Sequence, residues 1–263
     1  MNKPVVSIIT ATFNDKQSLL KTAESISNST YKKLEWIVID GASSDGTLEW
    51  LRSNSTNIAQ WISEPDDGIY DAWNKGISLA NGEWIVFLGA GDLLEPNWLA
   101  RALNKNCESY DLIYGDIELI FPGYASSFGK KNGFAWEKAA TKLKCSMCLP
   151  HPGMLHRKSL FDSNKFSVSY KIVGDWEFFI RSLKRIRAAM YCEGQIQAIV
   201  PLGGVSASQQ SIERHFAERM RLMRDYQIEG CWFQNMKWAA KRLIARYASL
   251  FEMIQRAVWG WRR

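Results

Sequence analysis

The stretch LEWIVIDGASSDGT, from Leu34 to Thr47, decides the fold. Leu34 to Ile39 is a short apolar, β-branched run that reads as a strand. It stops at the polar turn Asp40-Gly41-Ala42-Ser43-Ser44-Asp45-Gly46, and helical spacing follows from Gly46 to Arg52. Two carboxylates and several hydroxyls are thereby delivered to one end of a strand.

Working outward, the same unit repeats. Val5 to Thr12 reads as a strand and Lys16 to Ser27 as a helix. On the other side, Ala59 to Ile62 is a short strand, Ile69 to Leu79 a helix, and Trp84 to Leu88 a buried strand that stops at Gly89-Ala90-Gly91-Asp92. Strands alternating with helical patterns predict a parallel sheet with crossover helices. Ligands bind such sheets beyond the carboxyl ends of the strands, where each polar cluster falls. Further on, strands are expected over Asp111 to Ile120 and Tyr191 to Val200, with a helix starting near Asp175. Phe121 to Pro150 loses periodicity and reads as a mobile or acceptor-facing segment. From Ser206 the chain is helical to its end, with a break around Gly230.

With 263 residues there is room for one large α/β domain and an appendage. The 46% hydrophobic and 23% charged residues exclude a disordered chain. Twelve Trp suit sugar stacking or membrane-interface contact as well as core packing. Five cysteines, an odd number, and a strand-like start without a secretory apolar region point to a reducing, cytoplasmic compartment. No apolar run approaches the roughly 18 to 20 residues that span a bilayer.

The net charge of +6 is confined to the tail: residues 231–263 hold seven basic residues and one acid, and the rest of the chain balances. That balanced body offers no second basic surface, so no nucleic-acid partner is expected. In the tail Trp232, Met236, Ala239, Leu243, Tyr247, Leu250, Ile254, Val258 and Trp261 recur at helical spacing, with the basic residues mostly off the stripe. Such a helix fits an anionic membrane surface, and docking on the main domain is the alternative.

Five constellations carry chemistry. Thr10, Thr12 and Asn14 end the first strand, where they meet a nucleoside or cap the next helix. Asp40, Ser43 and Asp45 offer acceptors to ribose or base N–H groups. Asp67, Gly68, Asp71 and Asn74 follow, Asp71 and Asn74 sharing a helix face. Gly91 and Asp92 come next: glycine lets the backbone approach a phosphate, and a carboxylate can hold a divalent cation. Val173-Gly174-Asp175-Trp176-Glu177 places acids at a helix start. A tight cluster, Cys145, Cys148, His151 and His156, has zinc-ligand residue types, but a structural zinc joins two ligand pairs across a longer loop.

The ordered motifs TxxxN, ExxVIDGxSxDGT, EPDxGIYDAxNKGI and GEWxxFLxxGD resemble those of family 2 glycosyltransferases, especially the branch that builds bacterial exopolysaccharides, colanic acid and O-antigens. The resemblance is clear from Val5 to about Pro96 and weak to Ser206. It implies a GT-A fold, an inverting reaction, a nucleoside-diphosphate sugar donor and a divalent cation, Mg2+ or Mn2+. The catalytic domain would span residues 1–205, with a nucleotide-sugar half (1–105) and an acceptor half (106–205), and 206–263 would be an amphipathic helical extension. Asp92 would be the metal ligand and Asp175 the catalytic base, with Glu177 in reserve. His151, Trp176 and Glu177 would face the acceptor, with a third metal ligand or a structural hydrogen bond as the alternatives for His151 and core packing for Trp176. Relatives carry an Asp pair where this chain has Asp40-Gly41, which leaves nucleoside recognition to Asp40, Ser43 and Asp45. The expected reaction moves one hexose, from a UDP-sugar, to a polyprenyl-diphosphate-linked or oligosaccharide acceptor at the inner face of the plasma membrane. The alternative is an inactive nucleotide-sugar-binding module.

Overall fold

The computed structural model describes residues 5–104, 107–120, 129–131, 133–201, 209–231, 234–240 and 242–243. Four strands, β1 (Val6–Thr12), β2 (Leu34–Asp40), β3 (Gln60–Ser63) and β4 (Trp84–Gly89), pair in parallel in the order β3-β2-β1-β4. Helices α1 (Lys16–Ser27), α2 (Thr47–Ser53) and α3 (Ile69–Leu79) connect them. Beyond come β5 (Leu93–Leu94), α4 (Trp98–Ala102), β6 (Leu112–Ile120), β7 (Gly129–Lys131), α5 (Trp136–Leu143), β8 (Leu155–Arg157), α6 (Gly174–Ser182), β9 (Ala189–Pro201) and α7 (Gln209–Asp225). The sheet continues β4-β8-β6-β9-β5, with β7 on β6. β8 is antiparallel to both neighbours and β9 parallel to β6, which makes the sheet mixed, with its long pairings parallel.

Alternation of side chains explains how the sheet divides the interior. Val6 and Ile8 of β1 and Trp36 and Val38 of β2 enter one apolar cluster, closed by Leu19 and Ile26 of α1 and by Trp98 and Leu99 of α4. Ile9, Ile37 and Ile39 enter the other, covered by Tyr70, Trp73 and Ile77 of α3 and by α5, α6 and α7.

Two expectations change. The aperiodic reading of 121–150 gives way to β7 and to α5, whose Ala139 and Leu143 are buried; residues 121–128 lie outside the described residues. Helix α7, within the expected helical extension, packs on the main domain, and its Leu222 and Met223 belong to the main core. Arg219 is buried there, with its Nη2 donating to the Cys145 carbonyl at 2.6 Å and its guanidinium over the Trp176 ring. The helical residues 234–240 dock in turn on α7: Asn235 accepts from Arg219, Trp238 stacks on His215, and Arg242 pairs with Glu213. Trp232 and the stripe from Tyr247 to Trp261 lie outside the described residues. Finally, a disulfide joins Cys145 to Cys231 across 86 residues, which an odd cysteine count in a reducing compartment did not suggest. Cys107, Cys148 and Cys192 are thiols.

Candidate active site

Strand register brings the polar clusters together. Thr12 is level with Asp40, Asp40 with Ser63, and Ala11 with Gly89, so the three loops leave the sheet along one carboxyl edge. The loop after β2 is braced from within. Asp40 is fully buried and accepts the Ser43 N–H, the Ser43 hydroxyl and the Ser63 hydroxyl, the last at 2.6 Å. Ser43 Oγ in turn accepts the Asn14 N–H at 2.7 Å, and Asn14 Oδ1 accepts the Ser44 N–H at 2.8 Å. Asp45 accepts the Thr47 hydroxyl and backbone N–H and the Lys16 N–H, which hold its carboxyl below the usual range, the Thr47 hydroxyl most of all. Thr10 Oγ1 accepts from the Trp36 indole, while Thr12 Oγ1 is buried without a partner among the described residues. Asp40, Ser43 and Asp45, expected to read the nucleoside, also brace the loop from within and fix its shape.

Asp66, Asp67 and Gly68 form the lip above β3. Asp66 Oδ1 accepts the Gly68 N–H at 2.9 Å, and Asp67 pairs with Lys171 at 2.6 Å. Asp71 accepts the Asp67 N–H and lies 3.5 Å from Lys75, which also pairs with Glu64. Asn74, expected to line the donor pocket, instead bonds the Phe166 backbone with both ends of its amide, at 2.8 and 2.9 Å, and staples α3 to the later half of the chain.

The Gly89–Asp92 turn is held by Thr22 of α1, whose hydroxyl accepts the Gly91 N–H and lies 2.9 Å from the Asp92 carbonyl. Burial pushes the Asp92 carboxyl up to about 7, against a single opposing N–H from Gly89. A carboxyl so enclosed, with one hydrogen bond, fits a cation ligand, since a positive charge restores its ionised form. Among the described residues no cluster of three or more His, Cys, Asp or Glu accompanies it.

Asp175 is the second residue of α6 and is half-buried. Its Oδ1 accepts the Trp176 N–H at 2.7 Å and lies 3.3 Å from the Tyr70 hydroxyl, which also donates to the Ile172 carbonyl at 2.8 Å. Burial, then the Asp175 charge, raises the Tyr70 phenol well above its usual range and keeps it a donor. Gly174 is required here, because a Cβ would sit 2.7 Å from the Tyr70 ring. From the other side Glu218 of α7 accepts three backbone N–H groups, from Lys171 (2.9 Å), Ile172 (2.9 Å) and Val173 (3.2 Å). The turn carrying Asp175 is thus clamped between α3 and α7 and pinned to the Asp67 lip by Lys171.

The three residues expected to face the acceptor are buried. Trp176 donates to the Leu143 carbonyl at 2.6 Å and packs in the core. Glu177 is taken by Arg181 at 2.5 Å and by the Tyr226 hydroxyl, which removes it as a reserve base. His151 stacks on Phe87 and Trp73 inside the aromatic core, beside His156. The zinc-type cluster is dispersed: Cys145 is in the disulfide and His156 Nδ1 faces the Ile85 and Met154 carbonyls. Thr22, Tyr70, Asp66 and Glu218 escaped sequence reading; only Tyr70 and Asp66 lay inside a quoted motif.

The sequence model of the family described as "Glycosyl transferase family 2" matches residues 7–162, more than half of the chain. A "PGL/p-HBAD biosynthesis glycosyltransferase" of Mycobacterium bovis is 29% identical over 271 residues, covering 100% of this chain and 99% of its own. An "uncharacterized glycosyltransferase" of Mycobacterium tuberculosis is 41% identical over 102 residues, covering 38% of this chain and 39% of its own. Among solved structures, S. aureus TarS (residues 1–349) in complex with UDP-GlcNAc superposes with a TM-score of 0.63 at 14% identity, covering 92% of this chain and 72% of that one. The mannosyltransferase PcManGT of Pyrobaculum calidifontis, in complex with GDP-Man and Mn2+, gives 0.61 at 19%, covering 98% and 81%. These neighbours share the GT-A fold with this chain. With the matched motifs meeting along one strand edge, the chain belongs to glycosyl transferase family 2 and is a glycosyltransferase.

Proposed function

We propose that the chain is an inverting hexosyltransferase. It moves one hexose from a UDP-sugar to a hydroxyl of a polyprenyl-diphosphate-linked or growing oligosaccharide in bacterial surface polysaccharide synthesis. The observation that carries this reading is Asp175, a half-buried carboxylate whose turn is braced by Tyr70, Glu218 and Lys171. Inversion by direct displacement needs a base beside the acceptor hydroxyl, opposite the leaving diphosphate. Asp175 takes the hydroxyl proton, the acceptor oxygen bonds to the anomeric carbon, and the bond to the diphosphate breaks. Asp92 would hold a divalent cation there, which would supply charge neutralisation for the diphosphate.

The tail supports a peripheral place at the inner face of the plasma membrane. Residues 234–240 dock one face on α7, and Met236 (56%) and Leu243 (55%), two residues of the apolar stripe, are exposed. No helix among the described residues is long and apolar enough to cross a membrane. Flotation with anionic vesicles of the full chain, but not of a chain ending near Gly230, is the expected result; equal flotation removes the membrane reading.

A second reading, a nucleotide-sugar-binding module without turnover, is favoured by the lone carboxylate at Asp92. Purified protein incubated with UDP-, GDP- and dTDP-sugars, with and without chelator, separates the two. Transfer or donor hydrolysis from a UDP-sugar supports the enzyme, and binding without either supports the module.

A further inference from the structure

We infer that the Cys145–Cys231 disulfide is a thiol switch that sets turnover by fastening or releasing the mount of Asp175. At the inner face of the membrane, the place proposed above and on which this inference rests, the surrounding thiols are reducing, so a cross-link there is opened as well as made. Cys145 lies just past α5 and Cys231 just past α7. Asp175 and Glu218, which braces its turn, both fall inside the 86-residue separation that the bond spans.

The bond ties together the elements that surround the base. The Leu143 carbonyl, two residues before Cys145, accepts from the indole of Trp176 at 2.6 Å, and Trp176 is the neighbour of Asp175. The Cys145 carbonyl accepts from Arg219 Nη2 at 2.6 Å. Arg219 is 1% exposed, lies over the Trp176 ring and follows Glu218 in α7. So α5, the start of α6 and α7 meet at one junction, and the disulfide is its covalent tie. The link from α7 to Cys231 passes through left-handed backbone at Gln227 (φ 51) and Gly230 (φ 78), with open space beside Gly230. Release of Cys231 gives that link room to move, and with it Asn235, which accepts from Arg219 Nε.

Both states have a place in the fold. Cys145 is half-buried, which offers a reductant one sulfur to attack, whereas Cys231 is 2% exposed. Cys231 Sγ lies 3.5 Å from the Glu229 carbonyl and 3.8 Å from the Lys144 carbonyl, two acceptors that a thiol can use and a cystine cannot. Opening balances with two molecules of a small thiol. The first thiolate attacks Cys145 Sγ, the S–S bond breaks, and Cys231 leaves as a thiolate and takes a proton. The second thiolate attacks the first in the mixed disulfide, and Cys145 leaves and takes a proton. The chain gains two electrons and two protons, and the small thiol is oxidised to its disulfide. Closing is the reverse exchange with that disulfide.

The test equilibrates the full chain in glutathione buffers of stepped reduced-to-oxidised ratio, counts thiols by alkylation after denaturation, and measures transfer from a UDP-sugar. Across the series the thiols should rise from three (Cys107, Cys148 and Cys192) to five. At the same midpoint kcat should fall about tenfold, a loosening short of a full displacement of the base, with the donor KM within about twofold. Reoxidation should restore both. Cys145→Ser and Cys231→Ser should each show the lowered kcat in oxidised buffer and no further response; if they fail to fold, the wild-type series decides alone. A bond that stays closed at every ratio, five thiols at every ratio, or a thiol count that rises while kcat holds, overturns the switch and leaves the enzyme reading standing. A donor KM that moves as far as kcat also overturns it, since the whole fold has then loosened. Absence of transfer in every buffer overturns the enzyme reading, and this inference with it.

Discussion

Glu218→Gln tests how the fold holds the base. The glutamate lies in α7, is 9% exposed, and receives the Lys171, Ile172 and Val173 N–H groups at 2.9, 2.9 and 3.2 Å. Glutamine keeps the shape and one acceptor oxygen, loses the charge, and points an NH2 at one or more of those donors. A charge-assisted hydrogen bond contributes about 1.5–3 kcal/mol and a neutral one about half as much, so the variant should lose roughly 2–4 kcal/mol of stability. The function should suffer separately. Asp175 follows two residues after Val173, and a shift of about 1 Å in a reacting group costs on the order of 100-fold in rate. Steady-state kinetics at saturating acceptor, with denaturant unfolding of the same preparations, give both numbers. The expected outcome is a kcat lowered about 100-fold with the donor KM within about twofold, since the loops along the β1, β2 and β4 edge do not touch Glu218. A variant that loses the expected stability yet keeps wild-type kcat refutes the positioning role. One that raises the donor KM as much as it lowers kcat shows a general loosening of the fold.

Asp92→Asn should weaken binding of a UDP-sugar in the presence of Mn2+ and abolish any difference between chelated and metal-replete protein; an unchanged metal response excludes Asp92 as the ligand. His156 makes the stability pH-dependent. Burial lowers its imidazole to about 4 in the folded chain, against about 6.5 unfolded, so the unfolded state binds the extra proton between these values. Its contribution is complete above pH 6.5 and is lost as pH falls toward 4, by about 3 kcal/mol in all. His156→Phe should flatten that part of the stability curve measured by denaturant midpoints, and an unchanged slope assigns the acid loss to other groups.

The first half of the molecule was legible because its signals are local. Val6 to Thr12, Leu34 to Asp40 and Trp84 to Gly89 are short apolar runs that each end in a polar turn, and the sheet aligns those turns. What the polar atoms do was less legible. Asp40, Ser43 and Asn74 look unpartnered in sequence but bond groups, such as the Ser63 hydroxyl and the Phe166 backbone, that only the folded chain brings near. Trp176 and Glu177 resembled acceptor contacts, but consecutive helix positions point in different directions, and both are buried, Trp176 bonded to the Leu143 carbonyl and Glu177 to Tyr226 just beyond α7. Glu218 lies in a helix that the sequence shows only as helical spacing. Its role arises from packing across 45 residues of chain, to which local periodicity is blind.

Asp175 as the base is the central claim, and Asp175→Asn meets it most directly. The substitution keeps size and the oxygen that accepts from Tyr70 and Trp176 while removing the basic site. With UDP-sugar binding measured by calorimetry and transfer by acceptor glycosylation, donor affinity should stay within about twofold and transfer should fall about 100- to 10,000-fold. Wild-type transfer by this variant contradicts the account.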